Sequence, residues 1–244
     1  MVWNPWHGCR RVSEGCRNCY VFRIDGGHGR NAAEVRLNSD FLLPLKQTRS
    51  GEWKIPSGET VYTCFSSDLL LSDADAWRSD VWRMMRTRED LHFLFFTKRI
   101  ERLRDVLPPD WGDGYPNVTI GCTCEDQARA DERLPIFLEL PICDRIVVCE
   151  PLLGAIDLTD YLSSGRIREV TVGGESGDAA RVCDYQWVQD IFRACDRAGV
   201  RFSYHQTGAR LKKDGRLYRI PRRAQHEQAK RAEEQLRRKG EGRE

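Results

Sequence analysis

The sequence lacks the features of a membrane or secreted protein. No run of apolar residues approaches the roughly 18 that a membrane-spanning helix needs. The first residues include Trp3, Pro5 and His7 instead of a basic cluster followed by an apolar stretch, so we expect no secretory signal. We therefore predict a soluble, cytoplasmic protein with no membrane partner.

The chain contains ten cysteines in 244 residues. It is nevertheless too large to depend on disulfides for its stability, as small secreted domains do. Its 40% hydrophobic content supports a sizeable core in one large domain or two small ones. We expect most of the scattered cysteines to be small buried core residues. These scattered cysteines are Cys64, Cys122, Cys124, Cys143, Cys149, Cys183 and Cys195.

The net charge of +2 conceals a basic C-terminal tail. Residues 210–244 contain 13 Lys and Arg against 6 Asp and Glu, so they carry +7 and residues 1–209 carry −5. We predict a domain over 1–209 and a basic, helical or disordered tail over 210–244, because the tail has many helix formers and almost no apolar stripe. It is either a solvated helix or an arm that contacts nucleic acid.

Six short apolar segments predict parallel strands. Their starts are 24 to 31 residues apart, which leaves room for a helix between successive strands, as parallel pairing requires. Segments 73–88 and 184–199 have helical periodicity, and in the second Asp184 is placed to cap the helix and Gly199 to end it. The strand segments are VYTCF (61–65), LHFLFF (91–96), NVTIGC (117–122), RIVVC (145–149), EVTVGG (169–174) and VRFSYH (200–205).

This alternation predicts an α/β fold, a partial or complete (β/α) barrel of about six parallel strands, with a further short strand near residues 2–6. Polar residues follow every predicted strand, and in such a fold these strand ends meet at one face. Each cluster taken alone is also explained as a helix cap or turn. The clusters are SSD (66–68), TKR (97–99), TCED (123–126), EP (150–151), GES (174–176) and HQTG (205–208).

Cys9, Cys16 and Cys19 have the spacing C-x6-C-x2-C. Three thiolates suit a zinc site completed by His7 or a distant cysteine, or three irons of a 4Fe-4S cluster. Zinc sites usually pair two C-x2-C motifs, and no second one exists here. A cluster with three protein ligands leaves one iron open for a substrate or cofactor.

Several motifs resemble, in the right order, those of a phage-associated family of uncharacterised proteins assigned to the radical S-adenosylmethionine superfamily. The resemblance extends from Trp3 to about Gly208. The motifs are WNPWHGCRRVSEGCRNCY, SSDLL, FTKRIERL, CEDQARADER, CEPLLGAIDL and VGGESG.

The resemblance implies a radical-SAM-like barrel and an enzyme of that superfamily. It implies that Cys9, Cys16 and Cys19 ligate a 4Fe-4S cluster whose fourth iron chelates S-adenosylmethionine. One electron from an external reductant of the flavodoxin or ferredoxin type then cleaves the sulfonium, and the 5′-deoxyadenosyl radical that is released abstracts a hydrogen from the substrate.

The chain departs from the superfamily pattern at two places and from the closer family at a third. The usual cysteine spacing is C-x3-C-x2-C, so the loop here is longer by three residues. A Gly-Gly-Glu element normally follows the second strand, but here Gly173, Gly174 and Glu175 follow a later one. In the closer family, Lys and Trp are expected where His205 and Thr207 stand.

Candidate roles follow from side-chain chemistry. Asp68, Glu125 or Glu175 is suited to the ammonium of the cofactor, and Glu150 to its ribose hydroxyls. Lys98 or Arg99 is suited to the carboxylate of the cofactor or to a neighbouring loop carboxylate. The predicted cofactor-binding residues are Ser66, Ser67, Asp68, Thr97, Lys98, Glu125, Glu150, Gly173, Gly174 and Glu175, and the candidate catalytic residues are Glu175, Cys149 and His205.

We therefore expect a radical S-adenosylmethionine enzyme that modifies an unidentified substrate, for which a nucleic acid base or nucleoside is the working hypothesis. The basic tail would contact DNA or a nucleotide. One alternative is a non-catalytic zinc- or iron-sulfur-stabilised nucleic-acid-binding module. A nuclease-like barrel that uses Asp68, Glu125, Glu150 and Glu175 with a divalent metal is another, and it leaves the cysteines unexplained.

Overall fold

A computed structural model describes residues 1–241 of the chain, so the last three residues of the predicted tail lie outside the described residues. The chain divides into two compact units, each formed by several segments. Unit 1 comprises residues 1–12, 21–122 and 136–145. Unit 2 comprises residues 13–20, 123–135 and those from 146 onward.

Unit 1 is built on four parallel strands in the order β1, β4, β5, β6, beside a short antiparallel pair of β2 and β3. The elements up to residue 123 are β1 (Val2–Trp3), β2 (Trp6–His7), α1 (Tyr20–Gly27), β3 (Arg36–Leu37), β4 (Thr60–Thr63), α2 (Asp75–Thr87), β5 (His92–Thr97), α3 (Leu103–Val106) and β6 (Val118–Thr123).

The core of unit 1 lies between these strands and helix α2. Every residue of β6 is buried, as expected for a parallel strand that is covered on both faces. Trp82 of α2 packs edge-on against Phe95 of β5, with ring centroids 6.0 Å apart.

Unit 2 contains three parallel strands in the order β7, β8, β10 and a second sheet in the order β12, β11, β9. The elements from residue 127 are α4 (Gln127–Glu139), β7 (Asp144–Cys149), α5 (Thr159–Leu162), β8 (Glu169–Gly173), β9 (Cys183–Asp184), α6 (Tyr185–Ala198), β10 (Arg201–Gln206), β11 (Arg210–Lys213), β12 (Arg216–Arg219) and α7 (Arg222–Glu241).

The predicted boundaries of helix α6 are confirmed. The Asp184 carboxylate accepts a hydrogen bond of 3.0 Å from the backbone N–H of Gln186, so it caps the helix. Gly199 ends the helix with a left-handed φ of 66°.

Helix α7 packs along the outer edge of β10 instead of standing away in solvent. The backbone N–H of Tyr204 donates to Glu233 Oε2 at 2.7 Å, and Arg237 Nη2 donates to the Phe202 carbonyl at 2.8 Å. The polar side chains of α7 therefore satisfy backbone groups that an edge strand leaves unpaired. This explains how a helix with little apolar surface is held in place.

The prediction of an α/β fold with parallel strands is confirmed. All six predicted strands occur, as β4, β5, β6, β7, β8 and β10, and β1 is the short strand expected near Val2. Barrel closure and similarity to radical S-adenosylmethionine enzymes stay predictions. Among residues 1–241, no helix is both long and apolar enough to span a membrane.

Candidate functional site

The burial of the cysteines separates Cys9, Cys16 and Cys19 from the rest. These three are half-buried, whereas six of the seven scattered cysteines are buried and Cys143 is exposed, so the expectation that most of the scattered cysteines are buried is confirmed. All ten lie within the described residues, and no disulfide joins any of them. The buried six are Cys64, Cys122, Cys124, Cys149, Cys183 and Cys195.

Burial makes several of the scattered thiols poor ligands. It raises the pKa values of Cys64 and Cys149 well above the ordinary thiol value and those of Cys183 and Cys195 to about 12. These thiols stay protonated at neutral pH, whereas metals bind thiolates. Cys149, a candidate catalytic residue, is completely buried, so contact with a substrate would require a structural change.

In unit 1, Arg99 binds the segment that contains Cys9. Its Nη1 lies 3.9 Å from Cys9 Sγ and donates to Asp68 Oδ2 at 2.9 Å, while its Nη2 donates to the Arg10 carbonyl. The carboxylate and guanidinium are each only 7% exposed.

Asp68 lies near the carboxyl ends of β4 and β5, and both oxygens of its carboxylate accept hydrogen bonds. Besides Arg99, its carboxylate accepts from the Thr97 hydroxyl at 2.8 Å and from the backbone N–H groups of Leu70 and Lys98 at 2.9 and 3.1 Å. The ion pair foreseen for Arg99 with a loop carboxylate is therefore present. In this structure Asp68 and Thr97 orient Arg99.

Ser66 and Ser67 hold the segment that precedes Cys9. The Ser67 hydroxyl donates to the Gly8 carbonyl, and the Gly8 N–H donates to the Ser66 carbonyl at 3.2 Å. The Ser66 hydroxyl donates to the Trp6 carbonyl at 3.3 Å. Both predicted cofactor-binding serines thus position the backbone next to Cys9.

His7, the suggested fourth zinc ligand, is hydrogen-bonded to another residue. Its Nε2 lies 2.6 Å from Oδ2 of Asp25, a carboxylate that is 1% exposed. The hydrogen bond to His7 is the main cause that lowers the pKa of Asp25. Only Nδ1 of His7 remains for a metal.

In unit 2, the turn that contains Cys16 is anchored by Glu125. Ser13 donates its hydroxyl to Glu125 Oε1, and Arg133 Nη1 donates to Glu125 Oε2 at 2.8 Å. The Glu125 and Arg133 side chains are 0% and 4% exposed. A Cβ at Gly15 would lie 2.7 Å from the Glu125 carboxyl carbon, so only glycine allows this approach.

Asn18, next to Cys19, is anchored by Glu175 in the same way. Its amide donates to Glu175 Oε2 and to the Ala179 carbonyl, both at 2.9 Å. Arg181 Nη2 donates to Glu175 Oε1 at 2.5 Å. Burial opposes ionisation of Glu175, but the hydrogen bonds from Arg181 and Asn18 outweigh it and lower its pKa.

Gly173 and Gly174 allow close approaches within unit 2. A Cβ at Gly173 would lie 2.5 Å from the carboxyl carbon of Glu150, and one at Gly174 would lie 2.8 Å from the backbone carbonyl carbon of Thr207. Packing alone therefore accounts for both glycines. Their predicted contact with a cofactor stays a prediction.

Glu150 has the partners that a carboxylate at the end of a buried strand requires. His205 Nδ1 lies 2.8 Å from Glu150 Oε2, and the Gln206 amide donates to Glu150 Oε1. The His205 ring also contacts the His226 ring, with centroids 4.7 Å apart. The pair lies at the carboxyl ends of β7 and β10 with His205 half-exposed, so it can exchange protons with a ligand there.

We predict that Glu150→Gln lowers the pKa of His205, measured by NMR titration of its ring. The hydrogen bond that His205 donates to the Glu150 carboxylate is the main cause that raises this pKa, while burial and the nearby Arg222 oppose it. Because the folded pKa is raised, the pair stabilises the fold fully below the ordinary histidine pKa of roughly 6.5 and loses this effect as pH rises through the folded pKa. An unchanged titration midpoint would contradict the pairing.

We predict that Gly8→Ala destabilises the chain far more than Gly51→Ala. Both glycines have left-handed backbones, with φ of 95° and 85°. A Cβ at Gly8 would lie 2.9 Å from the backbone carbonyl carbon of Glu34, whereas nothing lies within 4 Å of one at Gly51. The conformational cost of roughly 1–2 kcal/mol is common to both, so denaturant unfolding should show an additional loss at Gly8. Equal losses would contradict this packing.

The sequence did not identify the residues that connect the cysteine segments to the strand ends. These are Ser13, Asn18, Arg133 and Arg181. Ser13 and Asn18 lie inside the cysteine motif, which is the one signal that could have found them. Arg133 is the last residue of the motif CEDQARADER, whereas Arg181 is distant in sequence and lies outside the quoted motifs.

Each carboxylate of the nuclease-like hypothesis has a cationic or histidine partner. The pairs are Asp68 with Arg99, Glu125 with Arg133, Glu150 with His205 and Glu175 with Arg181. The part of the chain that the structure describes contains no group of three or more His, Cys, Asp and Glu side chains arranged to hold a metal ion.

The donor chemistry of Cys9, Cys16 and Cys19 suits iron or zinc, because thiolates bind both metals. Their partial exposure makes them more accessible than the six buried cysteines. A single metal ion or cluster that is bound by all three cysteines requires their three sulfur atoms to lie close to one another.

A family model described as "Protein of unknown function (DUF5131)" matches residues 1–244, the whole chain. No curated protein and no solved structure matches the chain.

Proposed function

We propose that this chain, which belongs to the DUF5131 family, is a radical S-adenosylmethionine enzyme whose Cys9, Cys16 and Cys19 ligate a 4Fe-4S cluster. One observation carries the proposal: three partly or fully buried pairs of a carboxylate with an arginine anchor the segments that contain these cysteines. The pairs are Asp68 with Arg99 beside Cys9, Glu125 with Arg133 beside Cys16, and Glu175 with Arg181 beside Cys19.

This anchoring fits metal ligands better than ordinary surface loops. A thiolate cluster needs ligands at fixed positions, and hydrogen bonds from neighbouring groups hold such ligands in place. Buried ion pairs are costly to build, and a loop without function has no need of them. Asp68, Glu125 and Glu175 therefore act as positioning residues in this proposal.

When bound, such a cluster supplies the electron that cleaves S-adenosylmethionine to a 5′-deoxyadenosyl radical. Within residues 1–241, the Lys98 ammonium makes no hydrogen bond or ion pair, so it is available for the carboxylate of S-adenosylmethionine. Glu150 is available for the ribose hydroxyls if it exchanges one of its present partners, His205 or Gln206.

The electron would come from an external reductant of the flavodoxin or ferredoxin type. The substrate we propose is a nucleic acid base or a nucleoside. His205 would accept or donate a proton at its Nε2, because its Nδ1 is held by Glu150.

The test is cleavage of S-adenosylmethionine by the anaerobically reconstituted full chain with dithionite. We expect 5′-deoxyadenosine and methionine from the wild type and from Cys143→Ala, which changes an exposed cysteine outside the motif. The Cys16→Ala, Cys19→Ala double variant should form neither product. A colourless wild-type protein with one tightly bound zinc and no cleavage would instead indicate a binding module.

A further inference from the structure

The hairpin of β11 and β12 carries a concentrated positive charge on an exposed surface of unit 2. Residues 210–223 contain seven Lys and Arg and one Asp. Strand β12 is exposed along its whole length and is the outer strand of its sheet. We refer to residues 210–219 as the basic hairpin.

The pairing of the two strands places like charges opposite each other. Lys213 faces Arg216, and Arg210 faces Arg219. Cations directly opposite each other on a strand pair are destabilising. A bound polyanion would remove this cost.

The charges of β12 are not neutralised within unit 2. Lys212 pairs with Asp184 at 3.1 Å, and the Lys213 ammonium lies 5.0 Å from the centre of the Tyr185 ring. By contrast, Arg216 and Arg219 form no ion pair or side-chain hydrogen bond with any residue in 1–241. These two guanidinium groups are therefore available to an external anion.

Helix α7, which supplies much of the basic character of the tail, is a weaker candidate for the same role. Arg231 is paired with Glu227, and Arg237 is paired with Glu233. Arg237 also binds the backbone of β10. Helix α7 also contains no Phe, Tyr or Trp, whereas the basic hairpin has an exposed tyrosine, so the hairpin is the better candidate for binding nucleic acid.

An exposed aromatic residue, Tyr218, shares one face of the outer strand β12 with Arg216, and Arg219 lies on the opposite face, which is also exposed. Tyr218 is 44% exposed and Leu217 is 57% exposed. Unpaired bases stack on aromatic rings, and arginines contact the adjacent phosphates. The bases of a duplex are stacked on one another and do not offer this contact.

We propose that the basic hairpin binds single-stranded nucleic acid, with Arg216 and Arg219 on phosphates and Tyr218 stacked on an unpaired base. An anionic membrane fits less well, because Leu217 and Tyr218 alone make a small apolar surface. The proposal does not depend on the chemistry of the cysteines, since binding is measured without any reaction.

The test is fluorescence anisotropy of a labelled single strand of about 16 nucleotides with the full chain, at salt concentrations from about 50 to 200 mM. We expect Arg216→Gln with Arg219→Gln to weaken binding and to reduce the slope of log affinity against log salt by about 1.4, which is about 0.7 for each lost phosphate contact. Tyr218→Ala should weaken binding about fivefold or more, and Tyr218→Phe should not.

The matched control is Arg49→Gln with Arg104→Gln, which removes the same charge from exposed sites of unit 1. Several results would overturn the proposal: no binding at about 50 mM salt, equal weakening by the control, or an unchanged affinity in Tyr218→Ala. A higher affinity for a duplex, or for phosphatidylserine vesicles, than for the single strand would also overturn it.

Discussion

Replacing Cys16 and Cys19 with alanine is expected to abolish iron binding by the anaerobically reconstituted chain. The wild type should hold about four irons and four sulfides per chain, because three thiolates suffice to bind a 4Fe-4S cluster. Removal of two adjacent ligands leaves a single cysteine of the motif. Iron and sulfide analysis, with the visible absorption of the cluster, measures the effect.

The single variants and a control make this result specific. Cys9→Ala should also lose iron, since it removes one of the three proposed ligands. Cys143→Ala should keep the wild-type content, because this exposed cysteine lies outside the motif. Full iron content in the double variant, or loss of iron in Cys143→Ala, would contradict the proposed ligands.

Replacing Glu125 with glutamine is expected to lower the free energy of unfolding by about 3–5 kcal/mol. Glutamine keeps the size of the side chain but removes the charge that faces Arg133. The guanidinium is 4% exposed, so it would remain buried without a counter-charge. Denaturant unfolding of the cluster-free chain measures the change and separates it from any loss of iron.

Glu132→Gln is the matched control for this substitution. Glu132 pairs with Arg129 on the same helix, but the two side chains are 56% and 36% exposed. Exposed pairs contribute at most about 1 kcal/mol. If Glu125→Gln cost no more than Glu132→Gln, the buried pair would not hold the Cys16 segment as described.

A second variant tests the cause of this loss. Arg133→Met in the Glu125→Gln background removes the unpaired buried charge and should recover part of the lost stability, as a double-mutant cycle would show. A further loss in the double variant would indicate that Arg133 acts mainly through its other hydrogen bond, to the Thr123 carbonyl.

The sequence predicts the parallel framework well, because each of its strands is a short apolar run at regular spacing. Helix α6 is also predictable, since Asp184 and Gly199 mark its two ends. The basic hairpin was missed because β12 is exposed on both faces and lacks the alternation that marks a half-buried strand. The docked position of α7 was missed because polar contacts to β10 hold it.

The candidate site was only partly predictable, because some of its contacts join residues that are far apart in the sequence. The sequence identifies the cysteines by their spacing and the strand-end carboxylates by their position. It does not identify the partners of those carboxylates, since Arg181 and Asn18 meet at Glu175 only through the fold. The sequence predicted cofactor contacts for Asp68, Glu125 and Glu175, whereas their observed contacts hold the segments that contain the cysteines.

Electron paramagnetic resonance of the reduced, reconstituted chain with and without S-adenosylmethionine tests the central claim most directly. We predict a 4Fe-4S signal that changes when S-adenosylmethionine is added, because one iron without a protein ligand is open to it. A signal that stays the same on addition, or a protein that binds zinc instead of iron, would contradict the proposed radical enzyme.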